Sequence, residues 1–269
     1  MNSKNYQFQY SFSGNSDKPL ILFLHGFMGN CYEFDEAISL LSDDFYCLTV
    51  DLPGHGQTQV LGDNACYTME STACALINLL DNLNIQKCFL LGYSMGGRLA
   101  LYLSLYFPKL FSKIILESAS PGLVTEAERV ERMRRDEQIA RKLERSTSRN
   151  DFTVFLSKWY EQPIFGSIKN HPHFQQMIER RLQNNPIELA KSLRWMGTGF
   201  QPPVWEKLKE NTVPLLLLVG QYDEKFIAIN TKMAKMCELC QLEVISYAGH
   251  NIHLENTLVF VESIKNFAL

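Results

Sequence analysis

The chain has 269 residues, 46% of them hydrophobic and 20% charged, the composition of a globular protein with one sizeable core. A net charge of −3 argues against a dedicated nucleic-acid binder, which carries a basic excess. Residues 1–18 are polar and no apolar run nears the ~20 residues that span a bilayer, so neither a secretion signal nor membrane insertion is expected, and the cytoplasm is the expected location.

Residues 6–12 alternate aromatic and polar side chains, the pattern of an edge strand with one wet face, and a turn follows at 14–18. Residues 20–24 are continuously apolar, as in a strand covered on both faces. They lead into His25-Gly26-Phe27-Met28-Gly29, where glycines let the backbone turn so that the Phe27 N–H can face a nucleophile; a plain strand-to-helix turn is the alternative. Residues 33–41 read as helix and 45–50 as a second buried strand. That strand ends in Asp51-Leu52-Pro53-Gly54-His55-Gly56, a fixed turn in which His55 reads as structural. Over 67–83, Met69, Ala73, Leu76, Ile77 and Leu80 mark one face of an amphipathic helix.

The chain is organised around Gly92-Tyr93-Ser94-Met95-Gly96-Gly97. The apolar run 88–91 precedes it and a helix-competent run, 98–103, follows, which is the setting of a nucleophile elbow. So tight a turn requires small residues two places before and after the serine, and both are glycine. The Met95 N–H is then free to bind an oxyanion.

A strand begins at 113–116. From 121 to about 213 no parallel-strand run occurs; 126–145, 151–160, 174–183 and 187–196 read as helices broken by Gly and Pro. Strands return at 214–219 and 242–247. Strands alternating with helices predict an α/β fold with a mostly parallel sheet and helices on both faces. The expected division is a core of 1–120 and 204–269 with a helical cap at 121–203. Seven cysteines are scattered, with Cys237-x-x-Cys240 the only close pair. One such pair is weak for zinc, and buried thiols in a reducing compartment are the expectation.

A serine hydroxyl needs an imidazole to take its proton, and the imidazole needs a carboxylate to fix its tautomer. Asp223 follows the strand at 214–219, with Glu224 as the competing carboxylate. His250 follows the last strand, with His253 as the competing base. The order Ser, Asp, His is that of the α/β hydrolases. Arg98 lies four residues after Ser94, so it shares its helix face and can bring a guanidinium, which binds carboxylates bidentately, toward the serine; a solvated surface arginine is the alternative. Spacing does not say which of the arginines in 126–145 turns inward.

With these motifs, Pro121-Gly122-Leu123, Trp159-Tyr160-Glu161-Gln162-Pro163-Ile164-Phe165 and Met196-Gly197-Thr198-Gly199-Phe200-Gln201-Pro202 make the chain resemble the 2-succinyl-6-hydroxy-2,4-cyclohexadiene-1-carboxylate synthases. The resemblance implies an α/β-hydrolase fold and a lyase of menaquinone or phylloquinone biosynthesis. Such a lyase eliminates pyruvate from 2-succinyl-5-enolpyruvyl-6-hydroxy-3-cyclohexene-1-carboxylate, with Ser94 as base, His250 and Asp223 behind it, and the Phe27 and Met95 amides as oxyanion hole. It further implies a polycarboxylate pocket formed by Tyr93, Arg98, Arg132, Trp159 and Arg181, with no metal and no organic cofactor. A serine hydrolase, either an esterase or a carbon–carbon bond hydrolase, is the competing reading because it uses the same triad.

Overall fold

The computed structural model describes residues 5–166 and 168–269. Its strands are β1 (Tyr6–Gln7), β2 (Tyr10–Ser13), β3 (Leu20–Leu24), β4 (Tyr46–Val50), β5 (Gln59–Val60), β6 (Cys88–Tyr93), β7 (Phe111–Glu117), β8 (Leu215–Gly220) and β9 (Cys240–Ile245). Its α-helices are α1 (Asp35–Leu41), α2 (Met69–Asn82), α3 (Met95–Tyr106), α4 (Glu126–Glu144), α5 (Arg149–Trp159), α6 (Phe174–Arg181), α7 (Pro186–Met196), α8 (Trp205–Leu208), α9 (Glu224–Met236), α10 (Ile252–Glu255) and α11 (Thr257–Ala268).

Seven strands form one sheet in the order β2-β4-β3-β6-β7-β8-β9. β2 at the edge runs antiparallel to β4, and the other neighbours are parallel. The apolar runs become the inner strands because side chains alternate between faces and both faces are covered. Leu22, Leu90, Leu116 and Leu217 pack on α2 and α3, while Ile21, Leu91, Ile115 and Leu216 pack on α1 and α11.

The expected edge strand at 6–12 divides in two. Gln9 gives its N–H to Thr58 Oγ1 (2.9 Å) and its carbonyl to the Asp51 N–H (2.9 Å). β1 therefore leaves the main sheet and pairs with β5 as a separate antiparallel ribbon. The expectation of thiols throughout is also corrected. Helix α9 ends one residue before Cys237 and β9 opens at Cys240, a turn that brings the two Cα atoms to 5.3 Å, where they form a disulfide. Cys31, Cys47, Cys66, Cys74 and Cys88 are free.

Between β7 and β8 the described residues form helices and turns without a strand. These helices have their own core, in which Leu143, Phe152, Leu156 and Leu189 close around Met28. Met28 lies at φ +68° in the loop after β3, so this loop is clamped between the sheet and the helices above it. No helix among the described residues is long and apolar enough to cross a membrane.

Candidate active site

Ser94 sits at φ +49° and ψ −104°, between the end of β6 and the first residue of α3. That region is costly for a residue with a Cβ and persists only where the surroundings enforce it. Here they do. A Cβ on Gly92 would enter the carbonyl of Gly96, and one on Gly96 would enter the carbonyl of Leu24. The Ser94 N–H is tied to the Glu117 carbonyl at 2.8 Å.

His250 Nε2 lies 3.0 Å from Ser94 Oγ, and its Nδ1 lies 2.6 Å from Asp223 Oδ2. An ionised carboxylate only accepts, so Nδ1 carries the proton and Nε2 is left to accept from the serine hydroxyl. Asp223 caps α9, its other oxygen accepting the Phe226 N–H at 3.3 Å. Phe226 packs on the His250 ring at 4.8 Å between centroids. Asp223 rather than Glu224 therefore meets the imidazole.

The loop after β3 is held from beneath. His25 Nε2 accepts the Leu52 N–H at 2.9 Å, and its Nδ1 donates to the Gly26 carbonyl at 2.7 Å. Asp51 accepts the N–H groups of Cys31 and Gln57 at 2.6 and 2.7 Å. This fixes Phe27 on the rim of a cavity of about 660 Å³ that Ser94, Met95 and His250 also line. His55, buried, gives its Nδ1–H to the Pro53 carbonyl at 3.2 Å, and burial keeps its pKa well below the ordinary imidazole value. It does not line the cavity.

The cavity wall carries five cations, Arg98, Arg132, Arg135, Lys142 and Lys225, against one carboxylate, Glu128. Glu128 is occupied as the second half of the α4 capping box with Thr125. Arg98 is only 9% exposed, and its Nη1 donates to Gln201 Oε1 at 3.0 Å. Gln201 is anchored in turn on the Ser120 carbonyl at 3.3 Å. Among the described residues Arg98 has no ion-pair partner, so the protein aims a buried cation at the cavity. Burial first, and then Arg132 nearby, push its pKa down to about 9. Arg132 shares only its Nε, at 2.8 Å, with Asp136.

Residues 19–257 match the family described as alpha/beta hydrolase fold. The 2-succinyl-6-hydroxy-2,4-cyclohexadiene-1-carboxylate synthase of Citrobacter koseri is 35% identical over 93% of this chain and 94% of its own length. A Bacillus subtilis protein, provisionally named as the same synthase, is 36% identical over 94% of this chain and 92% of its own. The structure of MenH from S. aureus superposes with a TM-score of 0.89 at 35% identity, covering 98% of this chain and 97% of that one. The chain belongs to the 2-succinyl-6-hydroxy-2,4-cyclohexadiene-1-carboxylate synthase family.

Two of the pocket positions that the resemblance to this synthase family implies lie elsewhere. Arg181 does not line the cavity. Both of its Nη atoms bind the Glu33 carboxylate, its Nε donates to Tyr160 Oη at 3.1 Å, and it is 3% exposed. Tyr93 is the last residue of β6. Strand alternation puts it with Leu91 on the α1 and α11 face, where its ring packs between His253, at 4.8 Å, and His250, at 5.4 Å, without lining the cavity. Arg98, Arg132 and Trp159 do line the cavity.

The synthase-family motifs also left a buried network unread. His253 Nδ1 lies 2.9 Å from both oxygens of Glu117, and its Nε2 lies 3.2 Å from Glu33 Oε1. So His253 is not the base; it bridges two carboxylates. Burial lowers its pKa, but Glu117 and Glu33 outweigh that and raise it from 6.5 to about 9. A folded pKa above the unfolded one adds stability that is complete below pH 6.5 and lost as pH rises through about 9. The melting temperature is therefore expected to fall by several degrees between pH 6.5 and 9.5. A His253→Gln variant should show a flatter profile across that window, and equal slopes in the two proteins would refute the bridge.

Proposed function

We propose that this protein eliminates pyruvate from 2-succinyl-5-enolpyruvyl-6-hydroxy-3-cyclohexene-1-carboxylate. The observation that carries the reading is the Ser94–His250–Asp223 relay at the floor of a cavity with five cations and one engaged acid. The substrate bears three carboxylates. A cavity of about 660 Å³ is in the range that encloses a ligand of this size. Neutral esters would gain nothing from the unpaired guanidinium of Arg98.

The names of substrate and product fix the bond changes. The ring goes from a 3-ene to a 2,4-diene, so hydrogen leaves C2 and oxygen leaves C5. C2 lies beside the succinyl ketone, which makes its proton removable. His250 takes the Ser94 hydroxyl proton, and the alkoxide takes the proton from C2. The electron pair is held in part on the ketone oxygen, which the Phe27 and Met95 N–H groups would face. It then forms C2=C3, the C3=C4 pair moves to C4=C5, and the C5–O bond breaks. Pyruvate departs as its enolate and takes a proton from the His250 side. No water is consumed and no ester of Ser94 forms.

Arg98, Arg132 and Trp159 bind the substrate in this reading. Residues 121–203 act as a cap over a core of 1–120 and 204–269, the partner is a small polycarboxylate, and the protein works in the cytoplasm.

Arg98→Ala is expected to lower kcat/KM about 10–150-fold, the loss of a charged hydrogen bond worth about 1.5–3 kcal/mol. Initial rates with the enolpyruvyl substrate check this, and an unchanged kcat/KM would place Arg98 outside binding. The reading as a whole is tested by assaying the purified protein for pyruvate from that substrate and for turnover of simple aryl esters. Pyruvate release with negligible ester turnover is expected. Fast ester turnover through an acyl-enzyme at Ser94, with no pyruvate, would favour the hydrolase.

A further inference from the structure

Three substrate carboxylates call for three cationic contacts, and Arg181 is taken by Glu33. Resting on the elimination reading above, we propose that Lys225 is the third carboxylate contact, completing a set with Arg98 and Arg132. Lys225 is the second residue after Asp223, in the first turn of α9, so the loop that positions the acid also positions this ammonium. Its Nζ stands 5.5 Å from the centre of the Phe226 ring, and Phe226 packs on His250. Lys225 lines the same cavity as Ser94 and has no ion-pair partner among the described residues.

Arg132, on α4, lines the same cavity as the other two cations. It lowers the pKa of Arg98, after burial, and it is likewise the first charged neighbour that lowers Lys225, again after burial. Asp223 opposes the shift at Lys225 and Arg135 adds to it. The three cations thus reach one cavity from three elements, the elbow helix, α4 and the first turn of α9. Asp136 neutralises Arg132 in part, at 2.8 Å, but Arg98 and Lys225 have no ion-pair partner among the described residues, and a bound polyanion would relieve the repulsion that remains. Lys142 is ten residues beyond Arg132, about 15 Å along the helix axis at 1.5 Å per residue, near the far end of α4. Arg135 also lies on α4, beside Arg132. Of the five cations lining the cavity, Lys225 is the one beside Phe226, whose ring packs on His250.

The test is steady-state kinetics of pyruvate release for Lys225→Met, Lys225→Arg and, as a control on the outer side of α9, Lys235→Met. Lys225→Met is expected to raise KM about 10-fold with kcat nearly unchanged, because an ammonium–carboxylate contact is made equally in ground and transition states. Lys225→Arg should restore KM to within about 3-fold, and Lys235→Met should match the wild type. The wild-type KM should also rise more steeply with salt than that of Lys225→Met. A Lys225→Met KM within 2-fold of an active wild type would overturn the assignment and leave the elimination standing. No pyruvate from the wild type would overturn both.

Discussion

Replacing Ser94 by alanine is expected to lower kcat for pyruvate release by about 10²–10⁴-fold while leaving KM close to the wild-type value. A positioned base contributes about that much to a proton transfer. The alkoxide exists only on the way to the transition state, so its loss falls on kcat. The cavity cations, which hold the substrate, are untouched. Nor should the fold suffer. The φ of +49° at residue 94 is imposed by the packing of Gly92 and Gly96, not by the hydroxyl, whose hydrogen-bond partner is His250. Removing His250 should cost a similar factor, and removing both little more than either, because the two act as one unit. A Ser94→Ala rate within 3-fold of wild type would exclude the serine as base.

Arg181→Met should act on stability instead. Arg181 is 3% exposed and Glu33 is 2% exposed at the side chain, and the guanidinium is held by both carboxylate oxygens. Burial alone would raise the Glu33 pKa, but Arg181 and His253 more than reverse it and hold it far below the usual carboxylate range. Taking one partner from a buried pair costs about 3–5 kcal/mol, since the other charge stays desolvated. For a chain of this length that is a fall in melting temperature of about 10 °C. Adding Glu33→Gln should recover part of the loss, because Glu33 no longer carries a buried charge held by His253 alone, while His253 keeps Glu117. Thermal unfolding checks both. If Arg181→Met keeps the wild-type melting temperature and instead raises KM, the arginine faces substrate after all. The pair also joins α6 to the loop before α1, so it holds the helical segment down on the sheet beside the site.

The contrast between Arg98 and Arg181 marks how far the sequence is legible. Arg98 lies inside the elbow motif, and helix geometry alone brings position i+4 back toward position i. Arg181 sits beside Arg180 at the end of a short helix, and its partner Glu33 is 148 residues away. No local pattern carries that pairing. Tyr93 is next to Ser94 in the chain, but the two-residue period of β6 turns it into the core, against His253 and the buried side of His250 rather than into the cavity. The inner strands were legible because burial on both faces leaves long apolar runs, as in Leu215–Gly220. Ser94, Asp223 and His250 were legible because each follows such a run, at the strand ends where this class of sheet gathers its chemistry. The break in the first strand was not, because it depends on Thr58 and Asp51 capturing Gln9 from outside. Lys225 had a signal, its place two residues after Asp223, which acquires meaning only once Arg181 is seen to be occupied.

The central claim is that Ser94 removes a carbon-bound proton and adds no water to anything. Turnover of the enolpyruvyl substrate in ¹⁸O-labelled water tests it most directly, with the ring product analysed by mass spectrometry and pyruvate counted per turnover. Elimination gives one pyruvate for each ring product, and the ring product carries no ¹⁸O. Label in the ring product, or its formation without pyruvate, would contradict it.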